Sequence, residues 1–323
     1  MKKIGLGLAF AGIILSGQVA AAGVVTIASG SQGSLGFSTG QAVAKVANQI
    51  GGITARTQPI NGYLPLINSG EIEFGFSNAV EAEYAVFGTG NYAGKPSPNI
   101  RLVGTMFPLK TGLMVAADSG IYTISDLKAK AKELRIASEY KGSTIIPFYI
   151  GGGLANGGMT YADFQQIPVS NFVKGIQALG DGLVDVTLIS LNSGAGQKVN
   201  AQLQSRGGIQ YVSLDNSPEG IKAFKSFLPA GTIVSMPANP NIPGLQKPAN
   251  IMEIPWMMLT HKDVPEDLVY AMTKLVAEHN AELGASFPAF KGAQRAQMAP
   301  GNKVDYHPGA LRYYQEAGIS VGN

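Results

Sequence analysis

The chain has 323 residues, 14% of them charged, with 42 glycines, no cysteine and a formal net charge of +3. The lack of cysteine excludes disulfides, thiolate metal sites, a cysteine nucleophile and a lipid-modified cysteine. The near-balanced charge gives no basis for binding nucleic acid or an anionic membrane surface, and a chain of this length suits two domains better than one.

Residues 1–22 read as an export signal. Lys2 and Lys3 form its charged start, Ile4 to Leu15 its apolar run, and Ala20-Ala21-Ala22 its cleavage site. The apolar run is too short to span a bilayer comfortably. Cleavage removes two lysines and no acid, so the mature chain is close to neutral.

Val24 to Ala28 is a short buried strand. Gly30, Gly33 and Gly36, interleaved with Ser29, Ser31 and Ser34, follow as a loop. Ala42, Val43, Val46, Ala47 and Ile50 then recur at helical spacing before the Gly51-Gly52 stop. A strand that delivers a Gly/Ser loop to a helix N-terminus builds a cradle for a small, negatively charged group, because free N–H groups and the helix dipole both point there. The GxxGxxG spacing, with no carboxylate about 20 residues on, argues against a dinucleotide site, and no Lys-Ser or Lys-Thr closes a nucleotide loop. Gly36-Phe37-Ser38-Thr39-Gly40 matches the GxSxG pattern of a hydrolase nucleophile. Ser38, however, falls beyond the strand-to-helix turn, in the first turns of the helix. A serine hydrolase using Ser38, with His261 or His307 as base, is therefore the alternative reading.

Strand and helix then alternate. Thr54 to Ile60 is a strand, Gly62 to Asn68 a helix, Phe74 to Phe76 a strand that releases Ser77 and Asn78, and Glu81 to Phe87 a helix. Gly88 to Pro98 is loop, and Arg101 to Gly104 and Thr111 to Ala116 are strands. This order predicts a mostly parallel sheet whose ligand edge lies at the strand C-termini.

A second pass of the same plan follows Asp126-Leu127-Lys128. Arg135 to Ser138 is a strand, Glu139 to Thr144 a turn, Ile145 to Ile150 the start of a helix, and Gly151 to Gly158 a glycine-rich loop. The best internal echo aligns Gly70-Glu71-Ile72-Glu73 and the strand after it with Gly182-Leu183-Val184-Asp185 and the strand after that. In both, a helix stops at glycine, an acid stands three residues on, and an apolar strand ends in a small polar residue. Two similar α/β lobes are the economical reading.

Tyr211 to Leu214 reads as a strand, Pro218 to Phe227 as a helix, Pro229 to Pro248 as irregular, and Pro265 to Leu283 as one long helix. The most extended segments, Leu102 to Ala116 and Ile251 to Thr260 (the latter interrupted at Pro255), are the expected crossings between lobes. Lobe one comprises residues 23–111 and 253–323, and lobe two residues 112–252. Paired crossing strands make a hinge.

Several runs in combination carry a resemblance: ASGSQGS at Ala28 to Ser34, NSGEIEFGFSN at Asn68 to Asn78 followed by Glu81, PNIRLVG at Pro98 to Gly104, DSGIYTISDLK at Asp118 to Lys128, and YHPGALRYYQEAG at Tyr306 to Gly318. On these the chain resembles the TAXI family of solute receptors for tripartite ATP-independent periplasmic (TRAP) transporters. The resemblance implies a two-lobed, type II periplasmic-binding-protein fold and a periplasmic location. It also implies delivery of a small organic anion, a glutamate-like amino acid or a dicarboxylate, to TRAP membrane subunits. A monomer suits such a receptor.

The candidate ligand contacts are Ser31, Ser34, Asn61, Asn78 and Glu81 from the first pass and Lys141, Ser143, Thr144, Ser190 and Asn192 from the second. Asn78 could instead cap the helix that follows it. Lys141 stands in the counterpart of the Ser31–Ser34 loop, where a cation would face the cleft and meet an anion seated opposite. His261, His279 and His307 lack metal-ligand spacing, so neither metal nor cofactor is expected.

Overall fold

The structure is a computed structural model that describes residues 23–322; the expected export signal at residues 1–22 lies outside the described residues. Its strands are β1 (Val25–Ser29), β2 (Ala55–Pro59), β3 (Phe74–Asn78), β4 (Ile100–Ala116), β5 (Arg135–Glu139), β6 (Gln165–Val169), β7 (Thr187–Ser190), β8 (Ile209–Tyr211), β9 (Thr232–Met236) and β10 (Ala249–His261). The helices are α1 (Leu35–Gln49), α2 (Leu64–Asn68), α3 (Ala79–Phe87), α4 (Ile124–Lys130), α5 (Ile146–Asn156), α6 (Phe172–Gly180), α7 (Gly194–Gln202), α8 (Pro218–Lys225), α9 (Glu266–Glu278), α10 (Asn280–Ser286) and α11 (Pro308–Glu316).

β1 lies between β2 and β3, all parallel. Beyond β3 the sheet turns antiparallel, in the order β3-β10-β4-β7, with β8 added to β4 and β9 to β10. β5 and β6 form a parallel pair, joined to this sheet by a bridge between Ile136 and Val186 just before β7. The result is a mixed sheet with flanking helices rather than a mostly parallel one. The cause is the pair of long returning strands, which periodicity alone does not orient.

Those two strands, the segments expected to cross between lobes, pair with strands from both the first and the second pass of the chain. The first part of β4 lies against the end of β10 that also pairs with β3, while Thr111 to Ala116 pair with β7 and β8. At the crossing Pro108 stands opposite Pro255. Neither proline has an N–H to donate, so the ladder is thinned at one place on both strands. β10 is nevertheless continuous through Pro255, and β4 is one strand of 17 residues rather than two.

Three other segments differ from the sequence expectation. Gly151, Gly152 and Gly153 belong to α5, not to a loop. A Cβ on Gly151 would stand 2.7 Å from the Phe227 ring and one on Gly153 would stand 3.1 Å from Leu113, so these glycines let the helix lie flat on its neighbours. Part of the segment expected to be irregular, Thr232–Met236, is a strand because β10 offers it a partner edge. The long helix predicted over Pro265 to Leu283 breaks at His279 into α9 and α10.

Candidate functional site

A cavity of about 140 Å³ lies where the two halves meet over the crossing strands. That is close to the ~150 Å³ that admits one benzene-sized molecule. One side is made by Gly30, Ser31, Ser34, Leu35 and Gly36 after β1, by Asn61 to Leu64 after β2, and by Asn78, Glu81 and Tyr92. The other side is made by Gly142, Ser143, Ile145, Ile146 and Tyr149, with Phe172, Val173, Leu188 and Ser190. Leu109, Thr111 and Trp256 of the crossing strands close the floor. A larger hollow of about 790 Å³ flanks the same strands near the Lys110–Glu253 ion pair, and none of the predicted contacts lines it.

Of the predicted residues, the cavity brings together Ser31, Ser34, Asn61, Asn78, Glu81, Ser143 and Ser190. Several are already engaged. Ser34 caps α1, its hydroxyl accepting from the Phe37 N–H at 3.1 Å. Ser31 donates to Asn61 Oδ1 at 2.9 Å, tying two loops together. Asn78 is the N-cap of α3: its Oδ1 accepts from the Glu81 N–H at 2.8 Å while its Nδ2 donates to Glu81 Oε2 at 3.3 Å. Ser143 accepts from the Phe172 N–H, and Ser190 donates to Thr111 Oγ1.

Lys141, Thr144 and Asn192 do not line the cavity. Glu139 and Tyr140 take left-handed φ angles of 65° and 51°, and the turn they make carries Gly142 and Ser143 to the cavity wall. Lys141 is left outside, its side chain 83% exposed and paired with Glu139 at 3.3 Å. The expected cleft-facing cation is therefore absent from that wall. Thr144 accepts from Asn91 Nδ2 at 3.0 Å, a bond between the two sides of the cleft. Asn192, with φ of 64°, lines a separate small recess beside Ser193.

Sequence reasoning missed the aromatic wall: Tyr63, Tyr92, Tyr149 and Trp256. Trp256, the single tryptophan on a predicted crossing strand, was the available signal. Tyr63 donates to the Phe76 carbonyl oxygen. The Tyr149 hydroxyl and Trp256 Nε1 are buried without a hydrogen-bond partner among the described residues. Buried polar atoms are normally paired, and these two face one cavity, Tyr149 from its side and Trp256 from its floor, where each can donate to a bound group. Trp256 sits against the start of α1, since a Cβ on Gly36 would lie 3.5 Å from its ring. Leu35 and Gly36 carry the first N–H groups of α1, which no carbonyl of the helix can take, and both line the cavity.

Among the described residues, Glu81 is the single carboxyl that lines the cavity. Ser77 Oγ and Asn78 Nδ2 donate to its Oε2 at 3.2 and 3.3 Å, and Tyr92 OH and Asn91 Nδ2 to its Oε1 at 3.3 and 3.5 Å. Burial pushes its pKa up to about 7, against the pull of these four donors. Burial first, and the Glu81 charge second, also raise the phenols of Tyr63, Tyr92 and Tyr149 above their ordinary value.

The hydrolase geometry is not formed. Ser38 lies inside α1 and its hydroxyl donates to the Ser34 carbonyl at 3.3 Å. His261 Nδ1 accepts from the Asp263 N–H, and His307 Nδ1 accepts from the Gly309 N–H as the N-cap of α11.

The same architecture recurs in solved structures. PhnD1 from Prochlorococcus marinus, in complex with methylphosphonate, matches with a TM-score of 0.54 at 11% identity over 92% of this chain and 99% of its own. MatC from Rhodopseudomonas palustris, with bound malate, gives 0.54 at 13% over 85% and 90%. A structure described as a periplasmic transporter gives 0.55 at 10% over 91% and 92%. The fold is thus that of periplasmic solute-binding proteins, and no described helix is long and apolar enough to cross a membrane. The sequence model of the NMT1-like family matches residues 27–318, nearly the whole described chain, and the chain belongs to that family.

Proposed function

We propose that this protein is the solute receptor of a TAXI-type TRAP transporter. Exported to the periplasm, it captures a small organic acid between lobe one (residues 23–111 and 253–323) and lobe two (residues 112–252), then hands it to the membrane subunits. The motif runs from Ala28 to Gly318 support the transporter class. The observation that carries the binding role is the cavity itself: the first N–H groups of α1 and the unpaired Tyr149 and Trp256 donors line one small space between the two halves. Donors of this kind suit a carboxylate. Ser31, Asn61, Ser143 and Ser190 complete a polar lining on both sides, and Thr144 contributes through the bond that joins them. Closure turns about the Pro108–Pro255 pair.

Native mass spectrometry of the mature protein purified from the periplasm tests this reading. A co-purified small acid that raises the melting temperature when added back is the expected result. Turnover of a generic ester without any stabilising acid would overturn it.

A further inference from the structure

Resting on the receptor reading, we infer that the hollow on the reverse face of the crossing strands is the counterpart of the cleft. It narrows as the cleft opens, so side-chain volume placed in it holds the protein closed.

The argument starts from the strands. Side chains alternate between the two faces of a strand, and on β4 and β10 that alternation divides two spaces. Leu109, Thr111 and Trp256 line the cavity, whereas Pro108, Lys110, Glu253 and Pro255 line the hollow. Cavity and hollow therefore lie on opposite faces of one pair of strands. The same stretch is the weakest part of the ladder. The facing prolines withhold two N–H groups, and the register shifts between Trp256 and Met257 and again between Met258 and Leu259.

The walls of the hollow come from two different parts of the chain. Ala230 and Thr232 belong to residues 112–252, and the Thr232 hydroxyl donates to the Glu253 carbonyl at 3.3 Å. Gly292 and Ala296 belong to residues 253–323, and a Cβ on Gly292 would lie 3.7 Å from the Pro108 ring. The cavity is walled by both parts of the chain as well.

Two wedges on opposite faces of one hinge cannot widen together, because a bend that parts the walls of one brings the walls of the other closer. Here the cavity measures about 140 Å³ and the hollow about 790 Å³. The Ala195 N–H bond to the Gly33 carbonyl and the Asn91 bond to Thr144 are both made across the cleft. That is the arrangement in which the cleft is shut and the reverse hollow wide. Packed side chains yield little to compression, so added volume in the hollow opposes opening. The small side chains of Ala230 and Ala296 and the bare backbone of Gly292 leave the walls free to approach, and opening for solute release depends on that room.

The test places tryptophan at Ala230 and Ala296, singly and together, with serine at both positions as the control. Both residues are exposed, so this structure has space for the larger side chains. Small-angle scattering of the solute-free mature protein should give a smaller radius of gyration for Ala230→Trp/Ala296→Trp than for the wild type or the serine control. Hydrogen exchange at Ala195 supplies a local readout. Ala195 is the second residue of α7, so its N–H has no carbonyl within its own helix and is protected through Gly33 across the cleft. Its exchange is expected to slow about threefold or more in the paired variant. The single variants carry the test should the pair fail to fold. A radius of gyration or an Ala195 exchange rate that stays at the wild-type value overturns the inference, as does a larger radius with faster exchange, which would mean that the hollow narrows on closing. No solute is added, so each of these failures leaves the receptor reading standing, and the co-purification experiment above decides that reading separately. A solute-free wild type whose scattering already matches the closed structure overturns the inference together with the hinge.

Discussion

At the scale of single residues, Tyr149 carries an unmet demand. Its side chain is 2% exposed and its hydroxyl has no partner among the described residues. An unsatisfied buried hydroxyl costs about 1–3 kcal/mol. Tyr149→Phe should therefore stabilise the solute-free protein by about 1 kcal/mol in urea melts and weaken solute capture about tenfold by calorimetry. A variant that loses stability would show that the hydroxyl is already bonded in the free protein. Glu81 makes a second prediction, through pH. Its native pKa of about 7 lies above the ordinary 4.5, so between those values the folded chain holds the extra proton and stability falls as pH rises. His307 has the opposite sign, since burial lowers its pKa and stability is lost as pH falls from its ordinary 6.5. In Glu81→Gln only the His307 slope should remain. The melting temperature of the solute-free wild type, minus that of the variant, is expected to fall from about pH 5 to about pH 7.5; a flat difference would contradict the burial of this carboxyl.

At the scale of elements, the internal echo seen in the sequence proves to be one structural device used twice. Gly70 and Gly182 both take left-handed φ, 78° and 68°, where the chain leaves a helix and heads for a strand. Three residues on, Glu73 accepts from the Thr26 N–H of β1 at 2.8 Å, and Asp185 accepts from the Arg135 N–H of β5 at 2.9 Å. Each acid thus secures the start of the strand whose far end carries a cavity-lining loop. The α5 glycines show the reverse case, in which local sequence misleads. Three consecutive glycines disfavour a helix, but Phe227, Leu228, Leu113 and Met252 leave no room for side chains there. Gly153→Val should cost about 1–3 kcal/mol through overpacking, despite valine's better helix propensity. Chemical denaturation measures it, and an unchanged midpoint would refute the close packing.

At the scale of the molecule, specific bonds join residues 23–111 to residues 112–252. The Ala195 N–H donates to the Gly33 carbonyl at 3.0 Å, Asn91 donates to Thr144 at 3.0 Å, and the Tyr84 hydroxyl donates to the Phe227 carbonyl at 3.0 Å. In the receptor proposed above, solute exchange requires these to part, and the facing Pro108 and Pro255 are the proposed place to bend. A Cβ built on Gly33 would lie 3.5 Å from that of Ala195, within disulfide range. Gly33→Cys combined with Ala195→Cys, in a chain with no other cysteine, should lock the closed form on oxidation. The φ of 87° at residue 33 makes cysteine there strained by about 1–2 kcal/mol, which the closed bond must hold against. The oxidised protein should neither release nor take up solute until reduced, and small-angle scattering of the reduced, solute-free form should show a larger radius of gyration. Exchange that is indifferent to oxidation would rule out closure about this hinge.

The first loop and its helix, the repeat of the βα plan, the two most extended strands and seven of the cavity-lining residues are legible in the amino-acid sequence. These are set by local rules: glycine stops, apolar runs, serine and asparagine caps, and strand ends that point one way. Tertiary structure decided the rest. Whether β4 and β10 run antiparallel to their neighbours depends on which edge the chain returns to, and no local spacing records that. The fate of Lys141 depends on a two-residue left-handed turn held by Tyr140, buried and hydrogen-bonded to Thr187 at 3.1 Å, a partner 47 residues away. The aromatic donors Tyr149 and Trp256 read locally as core residues. They line the cavity because segments far apart in the chain meet there, and among the described residues no lysine, arginine or histidine joins Glu81 in that lining. The individual elements follow from short-range pattern, whereas strand direction and the charge balance of a cavity are set by distant segments.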